Sequence, residues 1–222
     1  MEYVVEIEKL DHQGRGICFT DGIITFVPNT LIGEKVKIKI VKNTKKIREA
    51  IVVSLLEKSS KRIDIKCNNL CGGCNLLHMS YEDELIYKEN KVKEIITKFT
   101  DLNSNIVKKI IPNNEYNYRN KATFQVKENI GFYKGKSYEI VSIDKCLLVD
   151  EKINEILKTL KKLNLNNIYQ IVVRTSKNLD ESMVVFKVNG KFNIDISPLK
   201  KIVNTIILFD KEYKVLYGIV NT

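Results

Sequence analysis

The first quarter of the chain alternates apolar and polar residues with the two-residue period of half-buried strands. Tyr3 to Ile7 predicts one strand, Ile17 to Thr20 a second and Ile23 to Val27 a third. Asp21-Gly22 between the last two is a hairpin signal. Pro28-Asn29 breaks the pattern, and after Gly33-Glu34 the run Lys35-Val36-Lys37-Ile38-Lys39-Ile40 sets lysines on one face and Val or Ile on the other. A last strand is expected from Arg48 to Leu56. Short strands joined by glycine-containing turns predict an OB-like β-barrel over 1–58.

The alternation lapses over 59–79, an irregular stretch. A helical period then takes over. Ser80 suits an N-cap with Asp83 three residues on, and Leu85, Val92, Ile95, Ile96 and Phe99 share one face of a long helix with lysines on the other. From Ile106 the pattern is mixed. Strands are expected at Thr123–Val126, Ile130–Tyr133, Tyr138–Ser142, Ile168–Arg174 and Met183–Val188. A helix capped by Asp150 carries Ile153, Ile156, Leu157, Leu160 and Leu163 at helical spacing. Residues 197–222 predict a short helix, then strands at Ile206–Phe209 and Val215–Tyr217. The expected organisation is thus a β-barrel (1–58), a loop (59–79) and an α+β domain (80–222), with no internal repeat or long linker.

Composition adds constraints. With 222 residues, 44% of them hydrophobic, the chain is long enough for one large domain or two small ones. No run approaches the roughly 18 apolar residues that span a bilayer. The start, MEYVVEIEKLDHQG, lacks the basic and apolar segments of a signal peptide. A cytoplasmic protein with no membrane partner is expected, and a monomer.

Charge sharpens the functional side. Lys and Arg number 37 against 27 Asp and Glu, a net charge of +10. Such a balance fits either a lysine-rich solvated surface or one that binds a polyanion. Its distribution favours the second. Lys35, Lys37, Lys39, Lys42, Lys45, Lys46 and Arg48 crowd one strand–turn–strand, and Arg15 sits between Gly14 and Gly16. Tyr116, Tyr118, Arg119, Lys121, Phe132 and Tyr133 mix aromatic and cationic groups, a set suited to stacking unpaired bases and gripping phosphates, or to a half-buried sheet. The candidate RNA contacts are Arg15, Lys35, Lys37, Lys39, Tyr118, Arg119, Lys121 and Phe132.

The most specific signal is Cys67-Asn-Asn-Leu-Cys71-Gly-Gly-Cys74, three of five cysteines within eight residues. Thiolates so spaced face one inorganic centre from a single loop, and disulfides are disfavoured in a cytosolic chain. Four fillings fit. A structural 4Fe–4S cluster would take Cys146 as its remote fourth ligand. Zinc would be held by the three cysteines and His78. A radical-SAM cluster shares the spacing, but an aromatic residue usually precedes its last cysteine, where Gly73 stands here. The thiols could also form a redox-active group without metal. His78 reads equally as a packing residue, and Cys18, in a barrel strand, as core.

The run Cys71-Gly-Gly-Cys74-Asn-Leu-Leu-His78-Met-Ser-Tyr81 and its following Lys-rich helix resemble the RumA/TrmA-type RNA uracil-5-methyltransferases, in the branch with a TRAM domain and a 4Fe–4S cluster. The barrel with Gly14-Arg15-Gly16 resembles the TRAM domain. Tyr118-Arg119-Asn120-Lys121, Gly131-Phe132-Tyr133 and Ile140-Val141-Ser142-Ile143-Asp144-Lys145-Cys146 resemble stretches of the central domain. The resemblance implies Cys67, Cys71, Cys74 and Cys146 as cluster ligands, although many relatives have five residues between the first two cysteines and this chain has three. It also implies an RNA partner, 23S ribosomal RNA, and S-adenosylmethionine as the cofactor of the full-length family. The family's Gly-rich cofactor loop, cysteine nucleophile and base are not recognised in the sequence; Gly14-x-Gly16 lies in a barrel turn. The expectation is an N-terminal portion without the catalytic domain, inactive alone, with no catalytic residue assigned.

Overall fold

The computed structural model describes residues 1–69 and 71–219. The chain divides into two compact units, Met1–Lys66 with Cys74–Pro112, and Cys67–Gly73 with Asn113–Thr222. This division does not fall at the expected boundaries. The long helix, expected in the α+β domain, belongs to the first unit, and the first two clustered cysteines belong to the second.

The first unit is a six-stranded sheet followed by one helix. Its strands are β1 (Glu2–Glu6), β2 (Lys9–Leu10), β3 (Gly16–Thr20), β4 (Ile23–Val27), β5 (Lys35–Asn43) and β6 (Ile47–Glu57), in spatial order β1-β5-β6-β4-β3-β2. The alternation works as expected along β5, where Val36 and Ile38 are fully buried and Lys35 and Lys39 exposed. Ile7, Cys18, Val27, Val36, Ile38 and Ala50 form the core of the sheet. The expected closed barrel is a correction: the ladder ends at β1 on one side and β2 on the other. β1 pairs only with β5, and β2 is two residues long and pairs only with β3, so no ladder joins the ends.

Polar contacts carry the chain on from this sheet. Glu34 is fully buried and receives Arg62 Nε at 2.5 Å and Nη2 at 2.7 Å, with the Leu31 N–H at 2.8 Å. Then follows α1 (Tyr81–Phe99), capped as expected by Ser80, whose Oγ accepts the Asp83 N–H at 3.2 Å. Its Tyr87 hydroxyl donates to the Asp11 carbonyl at 2.5 Å. A single 3-10 turn, Ser104–Ile106, comes after the helix.

The second unit is a seven-stranded sheet built from β7 (Lys121–Val126), β8 (Ile130–Tyr133), β9 (Ile140–Ser142), β10 (Ile168–Ser176), β11 (Glu181–Val188), β12 (Thr205–Asp210) and β13 (Glu212–Tyr217), in the order β13-β12-β11-β10-β7-β8-β9. Only β11 and β12 run parallel. Helix α2 (Glu151–Leu160) buries Ile153, Asn154, Ile156, Leu157 and Leu160 and packs on β10. Its N-cap Asp150 accepts the Lys152 N–H at 2.9 Å. A short helix α3 (Ser197–Lys200) buries Leu199. Among the described residues no helix is long and apolar enough to cross a membrane.

Candidate functional site

Cys71 and Gly72 lie on the β8–β9 hairpin of the second unit. The Cys71 backbone bridges to Lys134, and the Gly72 N–H donates to the Tyr133 carbonyl at 2.9 Å. A Cβ on Gly72 would stand 2.6 Å from the Gly135 Cα, a separation backbone atoms do not allow, so the approach needs glycine. Asn69 Nδ2 donates to the Lys145 carbonyl at 2.8 Å, and Arg119 Nη2 to the Gly73 carbonyl at 3.0 Å. The loop that carries Cys67 and Cys71 is therefore tied to the residue just before Cys146. The Cys71 Sγ lies 3.8 Å from where a Cβ on Gly73 would be.

Cys146 is held with equal care. Its N–H donates to Asn154 Oδ1 at 2.9 Å, and Asn154 Nδ2 donates back to its carbonyl at 3.1 Å. Asn154 is one of the few polar groups on the buried side of α2, and this pair of bonds satisfies it. Sequence reasoning missed Asn69, Gly135 and Asn154. The one available signal was Asn154 beside Ile153, Ile156 and Leu157, a polar residue on an apolar face.

None of the five cysteines is in a disulfide. Among the described residues no three His, Cys, Asp or Glu side chains are grouped so as to hold a metal ion. The donor set nevertheless suits an iron–sulfur cluster: Cys67, Cys71 and Cys146 belong to one unit, and Cys74 follows Gly73 directly in the chain. His78, the candidate zinc ligand, is buried in the first unit with Nε2 3.4 Å from the Thr30 carbonyl. Burial pushes its pKa down and the Arg62 charge adds to this, against weaker opposition from Thr30 and Glu34. It is a packed core histidine, which weakens a Cys3His zinc site. Cys18 is buried, its S–H facing the Thr25 carbonyl at 3.7 Å. Burial, with a smaller contribution from Glu8, pushes its pKa up to about 11, as befits an inert core thiol.

The candidate RNA contacts fare unevenly. Arg15 closes its own loop. Asp11 takes its Nη2 at 2.6 Å, its Nε at 2.7 Å and its N–H at 2.8 Å, and the guanidinium lies 4.3 Å over the Phe26 ring. Lys37 pairs with Glu2 at 2.8 Å and Lys35 with Glu57 at 3.4 Å, while no ion pair is recorded for Lys39 among the described residues. Arg48, counted with the basic patch, is buried and donates to the Thr20 carbonyl, Asp21 and Asn43. Phe132 stacks on buried Phe124 with centroids 5.0 Å apart and so serves packing. Tyr118 is exposed, with the Arg119 guanidinium 5.8 Å from its ring centre. Lys121 is exposed at the start of β7.

Residues 1–53 match the TRAM domain family. The chain is 31% identical to a protein of Halalkalibacterium halodurans named as an uncharacterized RNA methyltransferase, over 96% of this chain and 55% of that protein. A similarly named protein of Caldanaerobacter subterraneus is 32% identical over 86% of this chain and 46% of its own length. Among solved structures, the tRNA (uracil-54, C5)-methyltransferase of Pyrococcus abyssi superposes with a TM-score of 0.66 at 24% identity, over 97% of this chain and 53% of that one. The chain spans about half the length of the relatives it matches. It carries a TRAM domain at its start, and its relatives are named as RNA methyltransferases.

Proposed function

We propose that this chain supplies the RNA-recognition and iron–sulfur portion of an S-adenosylmethionine-dependent RNA uracil-5-methyltransferase. The observation that carries this reading is the similarity along 96% of the chain to a protein named as an RNA methyltransferase. The TRAM match and the structural neighbour support it. Cys67, Cys71, Cys74 and Cys146 would hold a 4Fe–4S cluster, which supplies a staple between the 67–74 loop and the strand end near Cys146. The support for that ligand set is the Asn69–Lys145 hydrogen bond and the pair of hydrogen bonds between Asn154 and the Cys146 backbone. The chain's own task is to grip a folded RNA so that one uridine leaves its stack. Methyl transfer from S-adenosylmethionine belongs to the full-length enzyme.

We assign 23S ribosomal RNA as the substrate, from the pairing of a TRAM domain with a cysteine-rich loop. The named substrate of the Pyrococcus neighbour favours transfer RNA as the second reading. Two measurements test the proposal. Protein purified without oxygen should be brown, with about four irons per chain for the proposed 4Fe–4S cluster, and Cys146→Ser should lose most of the iron. Colourless protein with stoichiometric zinc would replace the cluster with a zinc site. Retention of 23S rRNA fragments over transfer RNA in filter binding supports the substrate assignment, and the reverse order gives it to transfer RNA.

A further inference from the structure

Lys121 and Arg174 are cross-strand partners at one end of the seven-stranded sheet, directly opposite in the antiparallel β7–β10 ladder. Directly opposed residues hold their Cβ atoms roughly 4.5–5.5 Å apart, and like charges there are destabilising. Both side chains are exposed, and no ion pair to either is recorded among the described residues. Some surface lysines are neutralised, Lys37 by Glu2, Lys93 by Glu89, Lys152 by Glu155 and Lys177 by Asp150. Among the described strand pairings, Lys121 and Arg174 are the two cations set directly opposite each other across a ladder.

They also border a cavity of about 1070 Å³ within the second unit. Its wall includes Asn120, Thr175, Ser182 and Asn204, groups that donate hydrogen bonds, and one acid, Glu181. Thr175 is 8% exposed and its hydroxyl finds no partner in the described residues. Lys121 and Arg174 share one face of the sheet while strand alternation turns Thr175 and Ser182 to the other, and the pair of opposed cations suits a tetrahedral oxyanion.

We propose that Lys121 and Arg174 clamp a phosphodiester of the bound RNA at this end of the sheet. This rests on the RNA-binding reading and deepens it, because Arg174 and the cavity lie outside the contacts foreseen from the sequence. One phosphate oxygen would meet the guanidinium and another the ammonium, so the opposed charges share an anion rather than repel.

The experiment uses the full chain and two probes, single-stranded oligouridylate and total transfer RNA, with affinity followed against salt. Lys121→Gln and Arg174→Gln are each expected to flatten the log affinity against log salt slope by roughly one contact. The double variant should bind roughly tenfold more weakly at moderate salt. Lys121→Arg should retain binding, and Lys158→Gln, an equal charge loss on exposed α2, should leave the slope unchanged. Thermal unfolding guards against misfolding: without RNA the double variant should melt no lower than the parent. Parental affinity and slope in a folded double variant would overturn the clamp alone. A parent chain that binds neither RNA would overturn the broader reading and the clamp with it. Equal protection by inorganic phosphate at matched concentration would assign the site to a free anion and end the RNA assignment.

Discussion

The two long helices, α1 and α2, share a design and differ in what it does for them. Each is amphipathic, each begins on a side-chain cap, Ser80 or Asp150, and each has acidic residues in its first turn and a lysine in its last. Yet α2 buries five residues and α1 buries none. Along α1, Ile86, Val92 and Ile95 are about half exposed and Phe99 is 71% exposed. Ile86, Ile95 and Phe99 line a cavity of about 860 Å³ shared with Leu10, Ile17, Ile32 and Met79. The region around α1 is anchored by polar contacts instead, Arg62 on buried Glu34 and Tyr87 on the Asp11 carbonyl. A repeating apolar stripe therefore announces a helix and its orientation; it does not announce what covers it.

The contrast can be broken by substitution. Glu34→Ala should cost the most, about 3–5 kcal/mol by denaturant unfolding, because Arg62 is left partly buried without its carboxylate. Its effect should depend on pH. Burial alone would raise the Glu34 pKa, but the Arg62 hydrogen bonds, the Leu31 N–H, the Arg62 charge and the Ser59 N–H outweigh it and hold it below its usual value of 4.5. A depressed folded-state pKa means that the stabilisation is complete above the unfolded value and is lost as pH falls through the folded one. The stability difference between parent and Glu34→Ala should therefore shrink progressively as pH falls below the usual value of 4.5.

Leu157→Ala in α2 should cost about 2–5 kcal/mol, as a fully buried leucine does. The caps should come out alike, Ser80→Ala and Asp150→Ala at about 1 kcal/mol each, since both satisfy a helix N–H in the same way. Ile95→Gln should change stability by less than about 0.5 kcal/mol. A cost above about 2 kcal/mol there would show that the α1 face is covered in solution.

Much of the strand pattern could be read from the residues. Ile23–Val27 and Ile130–Tyr133 were expected with the bounds the structure has, and Asp150 and Ser80 cap as expected. What escaped has physical reasons. The barrel was over-read because alternation reports which face is buried and says nothing about whether the outer strands pair. The two-residue β2 is shorter than any period. Arg48 reads as part of the basic patch because its charge outweighs its position beside Tyr3 and Thr20, where it is buried. At the site the cysteine spacing was visible at once. The supports were not, because Asn69 reaches Lys145 across 76 residues and such a bond leaves no local signature.

Asn154 carries a consequence of its own. One amide grips both polar backbone atoms of Cys146 and issues from the most deeply packed helix of its unit. The aim of that sulfur is thus inherited from hydrophobic packing two turns away. Loosening α2 anywhere along its buried stripe should misdirect the thiol before it unfolds the sheet, and under the proposed function iron content would decline ahead of overall stability.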